Sequence, residues 1–183
     1  MFNLEDSLLQ TALDCGATKA AIVDTGRIQF SEELRNSCSS NRCGKYNSNW
    51  MCPPAVGDFK ELSEKVKSYP QGLLVQTIVQ LEDSFDIEGM EEGASAHNEM
   101  FMRVRSEVIS KYPAMNILAL NAGPCPICDQ CTYPDNEPCR FPDRAIASVE
   151  SHGIFVTQMV KCCGLKYNNG EATVSYVGVI FYK

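Results

Sequence analysis

Three cysteines fall within seven residues of the stretch GPCPICDQC, at Cys125, Cys128 and Cys131, and Cys139 follows eight residues later. Cysteines flanked by Gly, Pro, Asn and Asp are not placed for core packing, so their role has to be sought in what the thiols hold. Two intervening residues let successive thiolates curve around one object. Three such steps suit a compact multi-metal object better than a single ion. Structural zinc usually draws two C-x2-C pairs from separate segments, because four ligands must spread tetrahedrally. The triple spacing is that of ferredoxin-type loops, in which separate irons take successive sulfurs and a fourth cysteine can serve another cluster. The spacing therefore predicts an iron–sulfur cluster in preference to zinc, and zinc in preference to disulfides or free thiols.

A second constellation lies upstream, in SCSSNRCGKYNSNWMCPP. Cys38, Cys43 and Cys52 are spaced C-x4-C-x8-C and followed by Pro53-Pro54. Three thiolates are one short of a closed site. Two arrangements stay open. Cys139 completes the Cys125–Cys128–Cys131 cluster and leaves the first loop with an open iron, or Cys139 crosses to complete the first loop. Trp50, the single tryptophan, reads equally as a shield against water or as a core anchor. Cys162 and Cys163 are candidates for a missing ligand, although partly buried thiols at a strand end is the plainer reading. Cys15 reads as a small core residue.

The compartment bears on these readings. Ten cysteines in 183 residues suit a disulfide scaffold only in an oxidising environment. The opening MFNLEDSLLQ has neither a positive n-region nor an apolar h-region. The longest apolar runs fall far short of the ~20 residues a bilayer helix needs. A cytoplasmic protein, not a membrane protein, is expected. A net charge of -7, from 23 acidic and 16 basic residues without a basic stripe, argues against nucleic-acid binding.

Periodicity predicts one α/β domain over 1–183, with a mixed sheet flanked by helices and two cysteine-rich metal-binding loops at about 36–57 and 123–142. Apolar residues at helical spacing predict a helix over 4–15 ending at Gly16, another from Phe59 to Pro70, and a long one over about 95–112 that buries Met100, Phe101, Val104 and Val108. Residues 82–92 read as an acidic connection, with Glu91 and Glu92 solvated. Strands are expected at 19–24, 72–81, 116–122, 154–160 and 173–182, the last two forming a hairpin about Asn169-Gly170. Pro142 reads as the start of a short helix ending at Gly153, aiming its positive end at a cluster. Arg140 and Arg144 either add positive charge there or pair with Asp143 and Glu137. His97 reads as solvated and His152 as a helix-terminal charge. No Ser-His-Asp order, phosphate loop or dinucleotide fingerprint is present.

The blocks CSSNRCGKYNSNWMCPP and GPCPICDQCTYPDNEPCRFPDRAIASVESHGIFV resemble the family of predicted metal-binding proteins called domain of unknown function 2284. Cys38, Cys43, Tyr46, Trp50, Cys52, Pro53 and Pro54 stand in its first block. Gly123, Cys125, Cys128, Cys131, Pro138, Cys139, Arg140 and Pro142 stand in the second, and Ser148, Val149, Glu150, Gly153, Ile154 and Val156 in the third. The chain departs from the pattern in the four residues between Cys38 and Cys43 and in Val149, where methionine is usual. The resemblance implies metal binding and a setting in anaerobes, without naming a reaction.

The combined expectation is an iron–sulfur protein with one or two four-iron four-sulfur (4Fe-4S) clusters, held by Cys38, Cys43, Cys52, Cys125, Cys128, Cys131 and Cys139. It would transfer electrons to, or give redox support to, a partner enzyme. Two alternatives stand beside it. One is an enzyme using an open-iron cluster as a Lewis acid, as in sulfur removal or dehydration. The other is a zinc-stapled interaction module.

Overall fold

The computed structural model describes residues 3–183. Five strands form one mixed sheet in the order β1-β2-β5-β3-β4: β1 Lys19–Asp24, β2 Gln71–Gln80, β3 Ile117–Asn121, β4 Ala147–Ser148 and β5 Thr173–Tyr182. The C-terminal strand lies inside the sheet, antiparallel to both β2 and β3, while β4 runs parallel to β3. The long helices are α1 Leu4–Asp14, α3 Phe59–Lys67 and α4 Ile87–Lys111, and the shorter ones are α2 Glu32–Asn36 and α5 Val156–Cys162. The chain is thus α/β, with a mixed sheet between helices. No helix among the described residues is long and apolar enough to cross a membrane.

Strand side chains alternate between faces, and two cores follow from that alternation. Leu73 and Val75 of β2 and Ile180 and Tyr182 of β5 pack under α1 and α4, against Leu8, Ala12, Met100, Phe101, Val104 and Val108. Leu74, Val177, Val179 and Phe181 face the other way, against Val66 of α3 and Met159 and Val160 of α5. Both faces are covered, so β2 reads as a continuous apolar run.

Several expectations are corrected. The helix α4 begins at Ile87, capped by Asp86, whose carboxylate accepts from Gly89 N at 2.8 Å. Residues 87–92 are therefore helical, although Glu91 and Glu92 are exposed as expected. Pro142 starts no helix. Its segment is a turn in which Phe141 O accepts from Arg144 N and Ala145 N, and the chain then enters β4 and a short 3-10 turn, Glu150–His152. Gly153 does end that turn, with φ 72°.

The segment 154–160 is no strand. Ile154 makes one bridge to Phe30, and the helix α5 starts two residues later. The run Ile154–Val160 packs one face only, against the α3 side of the sheet, which a helix does as well as a strand. No hairpin forms about Asn169-Gly170, because β5 pairs with β2 and β3. Cys162 and Cys163 consequently sit at a helix end.

Candidate metal centre

The sheet edge fixes both ends of the second cysteine loop. β3 delivers the chain to Gly123, and β4 returns it alongside β3, with Leu120 opposite Ala147 and Asn121 opposite Ser148. Inside the loop, Arg140 Nη1 donates to Gln130 O at 3.0 Å, bracing the backbone between Cys128 and Cys131. Thr132 Oγ1 donates to Pro138 O at 3.0 Å, and Asn136 turns the chain with φ 55°. Cys125, Cys128, Cys131 and Cys139 then line one small cavity, walled by Trp50, Met51 and Phe141.

The first loop is entered from α2 and left through α3, whose N-cap Asp58 accepts from Lys60 N at 2.8 Å. Asn41 and Asn47 take positive φ of 51° and 54°, a conformation Asn tolerates better than most residues. Asn49 Oδ1 accepts from Met51 N at 2.8 Å, and Cys52 N donates to Asn49 O at 3.1 Å. Arg35 of α2 donates to Gly57 O across the base of the loop.

Three contacts tie the loops together. Trp50 Nε1 donates to Glu137 O at 2.9 Å, Tyr133 Oη donates to Asn47 Oδ1 at 3.0 Å, and Asn49 Nδ2 reaches Cys125 O at 3.4 Å. The Trp50 and Tyr133 rings meet edge to face with centroids 4.9 Å apart. Trp50 therefore acts at the seam, as part of the second loop's cavity wall, and not as an anchor in either core. Sequence reasoning missed Asn49, Tyr133 and Phe141. Nothing in the spacing of cysteines marks such framework residues.

Cys52 is the most enclosed of the loop thiols. Burial pushes its pKa up to about 11, and the thiols of Cys43, Cys38, Cys125 and Cys131 push in the same direction. Cys52 thus faces sulfur from both loops. Burial also raises the Cys38 thiol, with Cys43 and then Glu150 adding to it against Arg35. Cys43 is exposed. Burial thus favours the protonated thiol at Cys38 and Cys52, and a bound cation would supply the charge that favours the thiolate.

All ten cysteines are free. Among the described residues, no three His, Cys, Asp or Glu side chains are spaced to hold one metal ion. Cys162 and Cys163 lie apart from the loops: Cys162 accepts from Gln158 Nε2 at 2.8 Å, and Cys163 faces Ile22 O at 3.9 Å. Burial raises the Cys163 thiol to about 11, and Cys162 adds to the shift. Cys15 is half-buried at the end of α1, against the α1–α4 core.

The polar residues around the loops differ from expectation. Among the described residues, neither Arg140 nor Arg144 forms an ion pair. The pairs among the described residues are Lys67–Glu64 and Lys111–Glu107. Without a helix at Pro142, the helix dipole expected from that segment is not formed. His152 is 3 % exposed, and burial drives its pKa down to about 4, so it is neutral and adds no charge at a helix end. His97 is fully buried, not solvated. It lies on the buried stripe Gly93–His97–Met100–Phe101–Val104 of α4, a helical periodicity that, from His97 on, falls within the expected helix and marks it as a core position.

The comparisons agree with this picture as far as they reach. No curated protein and no solved structure matches the chain. The sequence profile described as Predicted metal-binding protein (DUF2284) matches residues 21–182, which takes in both cysteine loops and all five strands but the start of β1. The chain belongs to the predicted metal-binding protein family DUF2284.

Proposed function

We propose that this protein binds iron–sulfur clusters and passes electrons to a partner protein. The observation that carries the reading is the lining of one small cavity by Cys125, Cys128, Cys131 and Cys139. A 4Fe-4S cluster takes its four thiolates on separate irons. The donor set is all thiolate, which suits such a cluster. The backbone bracing by Arg140 and Thr132 holds the four cysteines around the cavity, and Trp50, Met51 and Phe141 limit access of water. When bound, the cluster supplies one-electron chemistry at a potential set by burial and by hydrogen bonds to its sulfurs.

A second reading rests on the first loop. If Cys139 stays in the second-loop cavity, then Cys38, Cys43 and Cys52 are left as a three-cysteine set, whose cluster has one iron open to substrate. That arrangement suits a Lewis-acid enzyme, for example one removing sulfur or water.

Both readings meet one experiment on anaerobically purified protein: iron and acid-labile sulfide are quantified, and EPR spectra of the reduced protein are recorded with and without small ligands. The expected result is about four or eight irons per chain with matching sulfide. Colourless protein with stoichiometric zinc would refute both readings. A ligand-dependent spectrum selects the enzyme, and an unchanged one selects electron transfer.

A further inference from the structure

A groove runs beside the second cysteine loop, between that loop and the helix α4. It encloses about 1270 Å³ counting its open side, and its walls include Asn98, Met102, Pro126, Ile127 and Arg144. At its inner end these same residues border a recess that Asn121 also lines. Arg105 of α4 donates to Asp143 O at 3.0 Å, so helix and loop are tied on the far side of Cys139. Ile127 lines both the groove and the cavity of the four cysteines. One side chain therefore separates the two spaces.

A chain of buried and part-buried hydrogen bonds ends at this groove. His97 Nε2 lies 2.9 Å from Asn121 Oδ1, an atom that only accepts, so Nε2 carries the proton. His97 Nδ1 then accepts from Thr77 Oγ1 at 2.8 Å. Asn121 Nδ2 in turn donates to Asn98 Oδ1 at 2.7 Å. Each step fixes the next, and the last leaves the Asn98 Nδ2 donor pair with no protein acceptor among the described residues. Gly178 makes room for the chain, since a Cβ there would lie 2.7 Å from Asn121 Oδ1. Four polar side chains in or beside a core are costly to bury. A packing role alone does not call for them to end in an unused donor.

Arg144 lines the same recess as Asn98. Its guanidinium lies 5.5 Å over the Phe141 ring and forms no ion pair among the described residues. Glu91 and Glu99 line the outer groove, whereas the inner recess has no carboxylate. The inner end thus offers one guanidinium fork, one amide donor pair and apolar walls. One fork and one amide match a single carboxylate. A phosphate in the inner recess would call for more positive charge than its one guanidinium supplies, since Arg103 lines only the outer groove and donates to Cys15 O at 3.2 Å.

The geometry points to a binding site for a small monocarboxylate with an apolar body, its carboxylate held by Asn98 and Arg144 and its hydrocarbon lying on Met102, Pro126 and Ile127. The ligand would sit one side chain from the cysteine cavity. The site consists of protein groups alone, and it stands whether the loops hold iron or zinc.

Calorimetric titration of the anaerobically purified full chain with butanoate, hexanoate and hexylamine tests the assignment. Hexanoate should saturate and bind roughly tenfold more tightly than butanoate, as two further buried methylenes dictate. Hexylamine should not saturate. Arg144→Gln, an exposed position, should weaken hexanoate at least fivefold, and Asn98→Leu, checked for native circular dichroism, should do the same. Absence of saturable hexanoate binding would overturn the site. So would equal affinity for the two acids, or hexanoate affinity unchanged in Arg144→Gln.

Discussion

His97 and His152 are both enclosed and uncharged, for one physical reason: the imidazolium form loses its hydration on burial, and no carboxylate compensates. Burial is the leading cause at each, and each is driven from 6.5 to about 4. The direction of the pH dependence follows. As pH falls below 6.5, the unfolded chain takes up protons that the folded chain refuses, so stability is lost between about 6.5 and about 4. At pH 5 the loss is about 2 kcal/mol per histidine. Glu150 acts in the opposite sense. Burial raises its carboxyl above the ordinary 4.5, so ionisation of the unfolded chain costs stability as pH rises from there. Urea unfolding at pH 7 and pH 5, at one ionic strength, should show the acid-side loss. Imidazole resonances titrating near pH 6.5 in the folded protein would contradict the burial argument. Cys52 shows the same physics in a thiol, and there a bound cation would reverse it.

At the scale of elements, β5 and α4 carry most of the organisation. The strand β5 supplies residues to both cores, and α4 covers one face while its other side forms a wall of the groove. Their close approach depends on Gly178. A Cβ at that position would stand 2.4 Å from the Phe101 ring and 2.7 Å from Asn121 Oδ1. Gly178→Ala should therefore destabilise the fold by about 1–3 kcal/mol through overpacking, read as a lower urea midpoint with an unchanged slope. An unchanged midpoint would mean that α4 shifts away freely. The two cysteine loops are elements of another kind. Their ends are fixed by β3, β4, α2 and α3, and their interiors are held by turns and by the Trp50–Glu137, Tyr133–Asn47 and Asn49–Cys125 contacts. They hold little buried apolar surface of their own.

For the whole molecule, this means a sheet-and-helix body that stands on its own cores with two loops clasped at one end. Removing the metal should free the loops and leave the body folded. Hydrogen exchange on chelator-treated protein should show lost protection over 37–57 and 123–146, with β2 and β5 still protected. Global loss of protection would make the metal a condition of folding. The sequence by itself determined the body and the cysteines proposed as donors. Apolar patterning located α1, β1, β2, β3 and β5 to within about a residue, because α1 buries one face at the helical period and the central strands β2 and β5, covered on both faces, read as continuous apolar runs. Cysteine spacing identified the two loops, because the clustering of cysteines is local in the sequence. Tertiary structure alone decided that Ile154–Val160 is mostly helix, since a short apolar run suits either period. It also decided that His97 is a core residue linked to Asn121, that Cys139 lines the cavity of its own loop, and that Trp50 closes the seam between loops. Each of these depends on residues distant in sequence meeting in space, and no local period or spacing records such meetings.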